Sequence, residues 1–142
     1  MRRVLVFDDD DAIRDVVERL LESAGFAVVR GRPGRGALQQ VARTDYDILL
    51  TDIYMPDVDG IEIVRATRQA RPDVPIICMS GGSTYLSAEF SLTLSGAFGV
   101  RQLPKPFGRA ELLAAVGSAA RALPDRQAAN LHGGVAENPD TP

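Results

Sequence analysis

The chain has 142 residues, 45% of them hydrophobic and 25% charged, which is the balance of a soluble globular domain with a real core. Its formal charge of −3 lacks the basic footprint of a protein held to nucleic-acid phosphates, so direct nucleic-acid binding is not expected. No apolar run approaches the ~20 residues of a membrane span.

Cys78 is the single cysteine and lies inside an apolar run, so no internal disulfide forms and a reducing, cytoplasmic setting is expected. The only histidine, His132, sits in a stretch rich in Gly, Asn and Pro, which argues against a Cys–His pair. Val4-Leu5-Val6-Phe7 is too short for a signal-peptide core.

Val4 to Phe7 reads as a first strand, followed by four aspartates, Asp8 to Asp11. Ile13, Val16, Val17, Leu20 and Leu21 recur at helical spacing, with Asp10 or Asp11 as cap and an end near Gly25. Phe26 to Val29 is strand two, and a short helix begins at Ala37. Strand three is Ile48 to Thr51, and a helix of weak periodicity runs from about Gly60 to Ala70. Strand four is Ile76 to Met79, ending at Ser80. Gly81 to Thr84 is expected to be a mobile loop. Leu86 to Leu94 forms a marginal helix, because its serines and threonine are mediocre helix formers. Val100 to Leu103 is strand five, stopped by Pro104-Lys105-Pro106, and Leu112 to Ala120 mark a last helix. One domain over residues 1–122 and a disordered tail over 123–142 are expected.

Strands alternating with helices predict an α/β fold, a doubly wound parallel sheet with helices on both faces. Such sheets place their sites beyond the carboxyl ends of the strands. That rule selects Asp8 and Asp9 after strand one, Asp52 at the end of strand three, Ser80 after strand four and Lys105 beyond strand five. Carboxylates this close repel unless a hard cation such as Mg²⁺ sits among them or one of them holds a proton. An aspartate can act as the nucleophile in phosphoryl transfer, with metal and lysine neutralising charge on the transferring oxygens. A serine beside it is a plausible sensor of the product.

Four motifs occur in order, each at a strand end: Val-Leu-Val-Phe-Asp8-Asp9-Asp10, Asp52-Ile-Tyr-Met-Pro56-x-x-Asp59-Gly60, Pro75-Ile-Ile-Cys-Met-Ser80-Gly81 and Leu-Pro-Lys105-Pro106-Phe107. Together they resemble the receiver domain of two-component response regulators, over about residues 3 to 121. The resemblance implies a flavodoxin-like sandwich with strand order 2-1-3-4-5 and five helices. It implies Asp52 as phosphoacceptor, Asp9 as a direct Mg²⁺ ligand, Asp8 as a ligand through water, and the Tyr54 backbone carbonyl on the metal. Ser80 matches the switch hydroxyl and Lys105 the phosphoryl-pairing lysine, often followed by a cis proline bond. A sensor histidine kinase or histidine phosphotransfer protein would be the donor. The output face would be helix four, strand five and helix five, about Leu86 to Arg121. A stand-alone regulator is expected, acting by binding an unknown downstream protein, with no enzymatic activity beyond self-phosphotransfer and autodephosphorylation.

Three positions depart from the family pattern. Gln102 replaces the aromatic ring three residues before the lysine. Tyr54 and Gly82 occupy positions that tune dephosphorylation, and Tyr54 could shield the acyl phosphate. Asp11 makes the acidic cluster denser. Blander readings stand beside these. Asp8 to Asp11 could be a solvated loop, Asp52 a turn residue and Ser80 a strand end. Cys78 reads as core, and Arg65, Arg68 and Arg71 as a solvated face. The competing functions are an aspartate-nucleophile phosphatase using Asp8 to Asp11, and a degenerate receiver that binds partners without phosphorylation.

Overall fold

The computed structural model describes residues 1–81 and 87–124. In chain order the elements are β1 (Arg3–Phe7), α1 (Asp11–Ser23), β2 (Ala27–Arg30), α2 (Gly36–Arg43), β3 (Ile48–Asp52), α3 (Gly60–Ala70), β4 (Ile76–Gly81), α4 (Ala88–Gly96), β5 (Val100–Lys105) and α5 (Arg109–Ala122). The strands form one parallel sheet in the order β2-β1-β3-β4-β5. This is the expected doubly wound, flavodoxin-like architecture.

The apolar strand runs have a simple cause. Strands covered on both faces need apolar residues at every position, not at alternate ones. Leu5, Leu49, Ile76, Cys78 and Val100 face α2, α3 and α4. Val4, Val6, Ile48, Leu50, Ile77, Met79 and Leu103 face α1 and α5. Helix starts are set by side-chain caps. Asp10 accepts from the N–H groups of Ala12 and Ile13, Asp59 from Glu62, and Ser87 from Phe90. Each such cap contributes about 1 kcal/mol.

Several boundaries differ from expectation: β1 begins at Arg3, β2 is Ala27–Arg30 rather than Phe26 to Val29, β3 runs on to Asp52, and β4 runs on to Gly81, which was expected in a loop. β5 does not stop at Leu103: Pro104 pairs in register with Ser80, and Lys105 with Gly81. Proline is tolerated because β5 is an edge strand, where one N–H of each pair has no ladder partner to lose. Lys105 is thus the last strand residue, and the Lys105–Pro106 peptide is cis. Helix α4 begins at Ala88, where Ser87 caps it, rather than at Leu86. Leu86, residues 82–84 of the expected mobile loop Gly81 to Thr84, His132, and residues 125–142 of the expected tail 123–142 lie outside the described residues; Gly81 of that loop closes β4, and Leu123 of that tail packs against the core.

The arginines of α3 do not form one solvated face. Arg65 is exposed, but the Arg68 guanidinium donates to the carbonyls of Val74 at 2.5 Å, Phe98 at 2.7 Å and Pro72 at 3.3 Å. Arg71 donates to the Thr44 carbonyl at 2.5 Å and lies 4.4 Å from the centre of the Tyr46 ring. Helix ends and turns leave carbonyls without partners, and here two arginines collect them. Periodicity alone could not show this, because the carbonyls of Phe98 and Thr44 are 30 and 27 residues from the arginines that bind them, and those of Pro72 and Val74 lie in the turn past the helix. Arg68→Met is expected to lower stability by about 2 kcal/mol, since charged hydrogen bonds are lost and half-buried carbonyls left without them. Arg65→Met should change it by less than about 0.5 kcal/mol. Urea unfolding of the two variants checks the difference.

Candidate functional site

The sheet order places β1 beside β3, and the pairing of Phe7 with Thr51 sets the next residues, Asp8 and Asp52, side by side. This pair marks the switch point of the sheet, where connections leave toward opposite faces. Gly60 belongs to the same construction. A Cβ there would lie 2.2 Å from the Asp52 carbonyl oxygen, so α3 starts against the end of β3 only with glycine. Gly81 does likewise on the other side: its φ is +133°, and a Cβ would lie 2.6 Å from the Lys105 carbonyl oxygen.

Lys105 reaches from the end of β5 to both carboxylates. Its Nζ lies 3.1 Å from an oxygen of Asp8 and 3.1 Å from an oxygen of Asp52. The Asp8 side chain is fully buried, and its other oxygen accepts from the Asp10 N–H at 2.9 Å. Burial pushes the Asp8 carboxyl above its ordinary value of 3.8, and the Asp52 charge adds to the rise against the pull of the Asp10 N–H and Lys105. Burial disfavours the Lys105 ammonium, but Asp8 and Asp52 outweigh that and hold its pKa above the ordinary value. The Tyr54 N–H donates to the second Asp52 oxygen at 3.3 Å, and Tyr54 itself is exposed.

Asp8, Asp9 and Asp52 each present an oxygen within 4.8 Å of the others. Three carboxylates against one ammonium leave an excess of two negative charges. Asp9 is exposed, and no bond to its carboxylate occurs among the described residues. A small, hard, oxygen-only cluster with uncompensated charge fits a divalent cation of the Mg²⁺ type. Receiver domains bind Mg²⁺ in an acidic pocket of this kind.

The four consecutive aspartates are not equivalent. Asp8 is buried on Lys105, Asp9 faces the cluster, Asp10 caps α1, and Asp11 pairs with Arg14 at 2.6 Å. The dense acidic run is therefore divided among four tasks. The i,i+3 spacing of Arg14 from Asp11 is the sequence signal for this pair. Arg14 also donates to the Asp8 carbonyl at 3.3 Å.

Ser80 comes to the same rim, buried at the end of β4, but among the described residues no hydrogen bond joins it to Asp52 or Lys105. Gly82 lies outside the described residues. Cys78 is core: burial, then the Asp52 charge, push its thiol up to about 12, so it is unreactive near neutrality. Gln102 is not idle, as its amide donates to the Ser91 carbonyl on α4.

A parallel sheet in this order, with an acid–lysine rim over its β1–β3 switch point, is the architecture of a receiver domain. The response regulator receiver domain model matches residues 4–117, and the chain belongs to that family. It is 35% identical over 128 residues to the DNA-binding transcriptional regulator NtrC of Rhizobium meliloti, covering 90% of this chain and 26% of that protein. It is 40% identical over 113 residues to NtrC of Escherichia coli, covering 80% and 24%. The chain thus spans about a quarter of the length of these relatives. The chemotaxis protein CheY4 of Vibrio cholerae superposes with a TM-score of 0.72 at 31% identity, over 84% of this chain and 98% of that one. No described helix is long and apolar enough to cross a membrane.

Proposed function

We propose that Asp52 accepts a phosphoryl group from a histidine kinase or histidine phosphotransfer protein, and that the modified domain then changes its binding partners. The observation that carries this reading is Lys105 held 3.1 Å from both Asp8 and Asp52 beside an exposed third carboxylate, Asp9. An Asp52 carboxylate oxygen attacks phosphorus, forming a P–O bond. The P–N bond to the donor imidazole breaks, and the imidazole keeps the electron pair. Lys105 already touches the nucleophile, so its charge is at hand for the transferred oxygens. Asp8, Asp9, Asp52 and the Tyr54 carbonyl would hold Mg²⁺, which when bound neutralises charge developing on those oxygens. Ser80 serves as the hydroxyl that meets the phosphoryl group, and Tyr54, beside Asp52, shields the acyl phosphate from water. The chain acts on itself and is not an enzyme toward other substrates. Its output is a protein partner met through α4, β5 and α5.

Intact mass after incubation with acetyl phosphate and Mg²⁺ tests the chemistry. Wild type should gain one phosphoryl group, and Asp52→Asn none. Chelator should abolish the gain. Labelling that survives Asp52→Asn would place the nucleophile among Asp8 to Asp11 and return the phosphatase reading. Failure of both labelling and beryllofluoride binding would leave a phosphorylation-independent binding module.

An apolar groove supports a protein donor. Ala12, Ile13, Val16 and Val17 of α1 line it together with Lys105, Pro106 and Phe107, and Val16 is 54% exposed. Its lysine end reaches the acceptor, so a partner seated here delivers its phosphoryl group beside Asp52. Val16→Asp should slow transfer from a phosphorylated histidine protein on the order of 10-fold. Labelling by acetyl phosphate should stay as in wild type. Equal slowing with both donors would show damage to the site instead.

A further inference from the structure

Gln102 sits on the face of β5 that looks onto α4. Its side-chain amide donates to the Ser91 carbonyl at 2.9 Å and to the Ser95 hydroxyl at 3.3 Å. Ser91 and Ser95 are one helical turn apart, so one amide grips two successive turns. Among the described residues the other contacts that seat this helix are Leu94 and Phe90 in the core and, just past its end, Phe98, whose carbonyl accepts from Arg68. Leu94 is buried and Phe90 half-buried, while Leu92 is 72% exposed. Ser91, Thr93 and Ser95 add little intrinsic helicity. The amide is the polar side-chain contact from β5 to α4 among the described residues, and a hydrogen bond of this kind is either made or broken.

Its position also ties it to the acidic rim. Gln102 and Lys105 share β5, three residues apart. On the neighbouring strand Cys78 pairs with Gln102, Ser80 with Pro104 and Gly81 with Lys105. The last residues of β4 and β5 are a short paired ladder with the phosphoryl site at one end and the amide at the other. At rest Lys105 is shared equally between Asp8 and Asp52. A phosphoryl group on Asp52 brings added negative charge and draws Lys105 toward itself, which moves the end of β5 against Gly81.

We infer that Gln102 is a latch: its amide holds α4 to β5 in the resting protein, and phosphorylation of Asp52 releases it. The inference rests on Asp52 being the phosphoacceptor. The latch is a discrete bond, made or broken, so α4 has two states, seated and released. Ser95 is the secondary acceptor, and the Ser91 carbonyl is the main one.

Hydrogen exchange of the amides of residues 88–96 in the full chain, with and without Mg²⁺ and beryllofluoride, tests this. Gln102→Leu removes the donor at similar volume. Without the mimic it should raise exchange across α4 about 5-fold, the factor expected for one hydrogen bond, and leave β1 and β3 unchanged. Wild type should reach a similar level with the mimic, and the mimic should then add little in Gln102→Leu. Ser95→Ala should stay close to wild type. Exchange in Gln102→Leu equal to wild type overturns the latch. A mimic response in α4 that persists undiminished in Gln102→Leu overturns the coupling, as does a wild type whose α4 ignores the mimic while residues 52–60 respond. If wild type responds nowhere, the receiver reading fails instead, and the comparison without mimic still decides the latch. Gln102→Asn, one methylene too short to reach Ser91, serves where Gln102→Leu does not fold by circular dichroism.

Discussion

Replacing Lys105 with methionine is expected to lower the stability of the metal-free protein by about 3 kcal/mol at pH 7, because a buried pair of carboxylates loses the ammonium that bridges it. The same change should slow phosphoryl transfer to Asp52 on the order of 100-fold, the scale for losing one charged donor aimed at the transferred oxygens. Both effects come from one geometry. Asp8 is buried, Asp52 nearly so, and the 3.1 Å contacts of Lys105 are the cationic contacts to either among the described residues. Methionine keeps much of the aliphatic stem and removes the charge. The stability loss has a definite pH dependence. The folded pKa of Lys105 is raised above 10.5, so its contribution is full below that value and disappears as pH rises through the folded value. Toward acid the loss also shrinks, because Asp8 takes up a proton and no longer needs a partner. Added Mg²⁺ should restore part of the stability at pH 7. Denaturation curves at several pH values, with chelator and with Mg²⁺, check all three statements. A loss that is the same at every pH would show that packing, not charge, is at stake.

Asp8→Asn should separate stability from function. Burial is the largest influence on the Asp8 carboxyl and outweighs its hydrogen bonds, so the native state holds a proton that the unfolded chain has released. In the pH window between 3.8 and the raised native value, stability from this group falls as pH rises, and above the window it stays lower. The amide carries no charge to desolvate, its oxygen can still accept from the Asp10 N–H, and Lys105 keeps Asp52. The variant is therefore expected to be about 1 kcal/mol more stable than wild type at pH 7 in chelator. That difference should vanish below the window. Mg²⁺ should stabilise wild type clearly and the variant hardly at all, and labelling by acetyl phosphate should fall on the order of 100-fold. Destabilisation at pH 7 without metal would mean that the Asp8–Lys105 pair outweighs the burial of its charge. Such a trade of stability for chemistry is what a site built from buried like charges predicts.

Much of the fold was legible because the sheet is covered on both faces. Continuous apolar runs such as Val4 to Phe7 and Ile76 to Met79 have few other uses in a chain this size. Asp10, Asp59 and Gly60 were legible for a local reason, since caps and close approaches depend on neighbours in sequence. The rim residues were legible through one topological rule, that a parallel sheet gathers the ends of its strands. What was misread depends on partners far along the chain. Arg68 and Arg71 looked like a solvated face because carbonyls they bind belong to Phe98, and to Thr44 and Tyr46. Pro104 looked like a stop because the edge position of β5 is a property of the assembled sheet.

The sequence by itself therefore determined the order of elements, the two-faced core and the set of polar residues at the strand ends, because each of these follows from local periodicity and chain direction. Only the tertiary structure decided how the four aspartates divide their work, that Lys105 bridges Asp8 and Asp52, and that Gln102 grips α4. Those outcomes turn on distances between groups that are, for Asp8 and Lys105, 97 residues apart, and on burial, which sets the energy of a charge and exists only once the chain has packed.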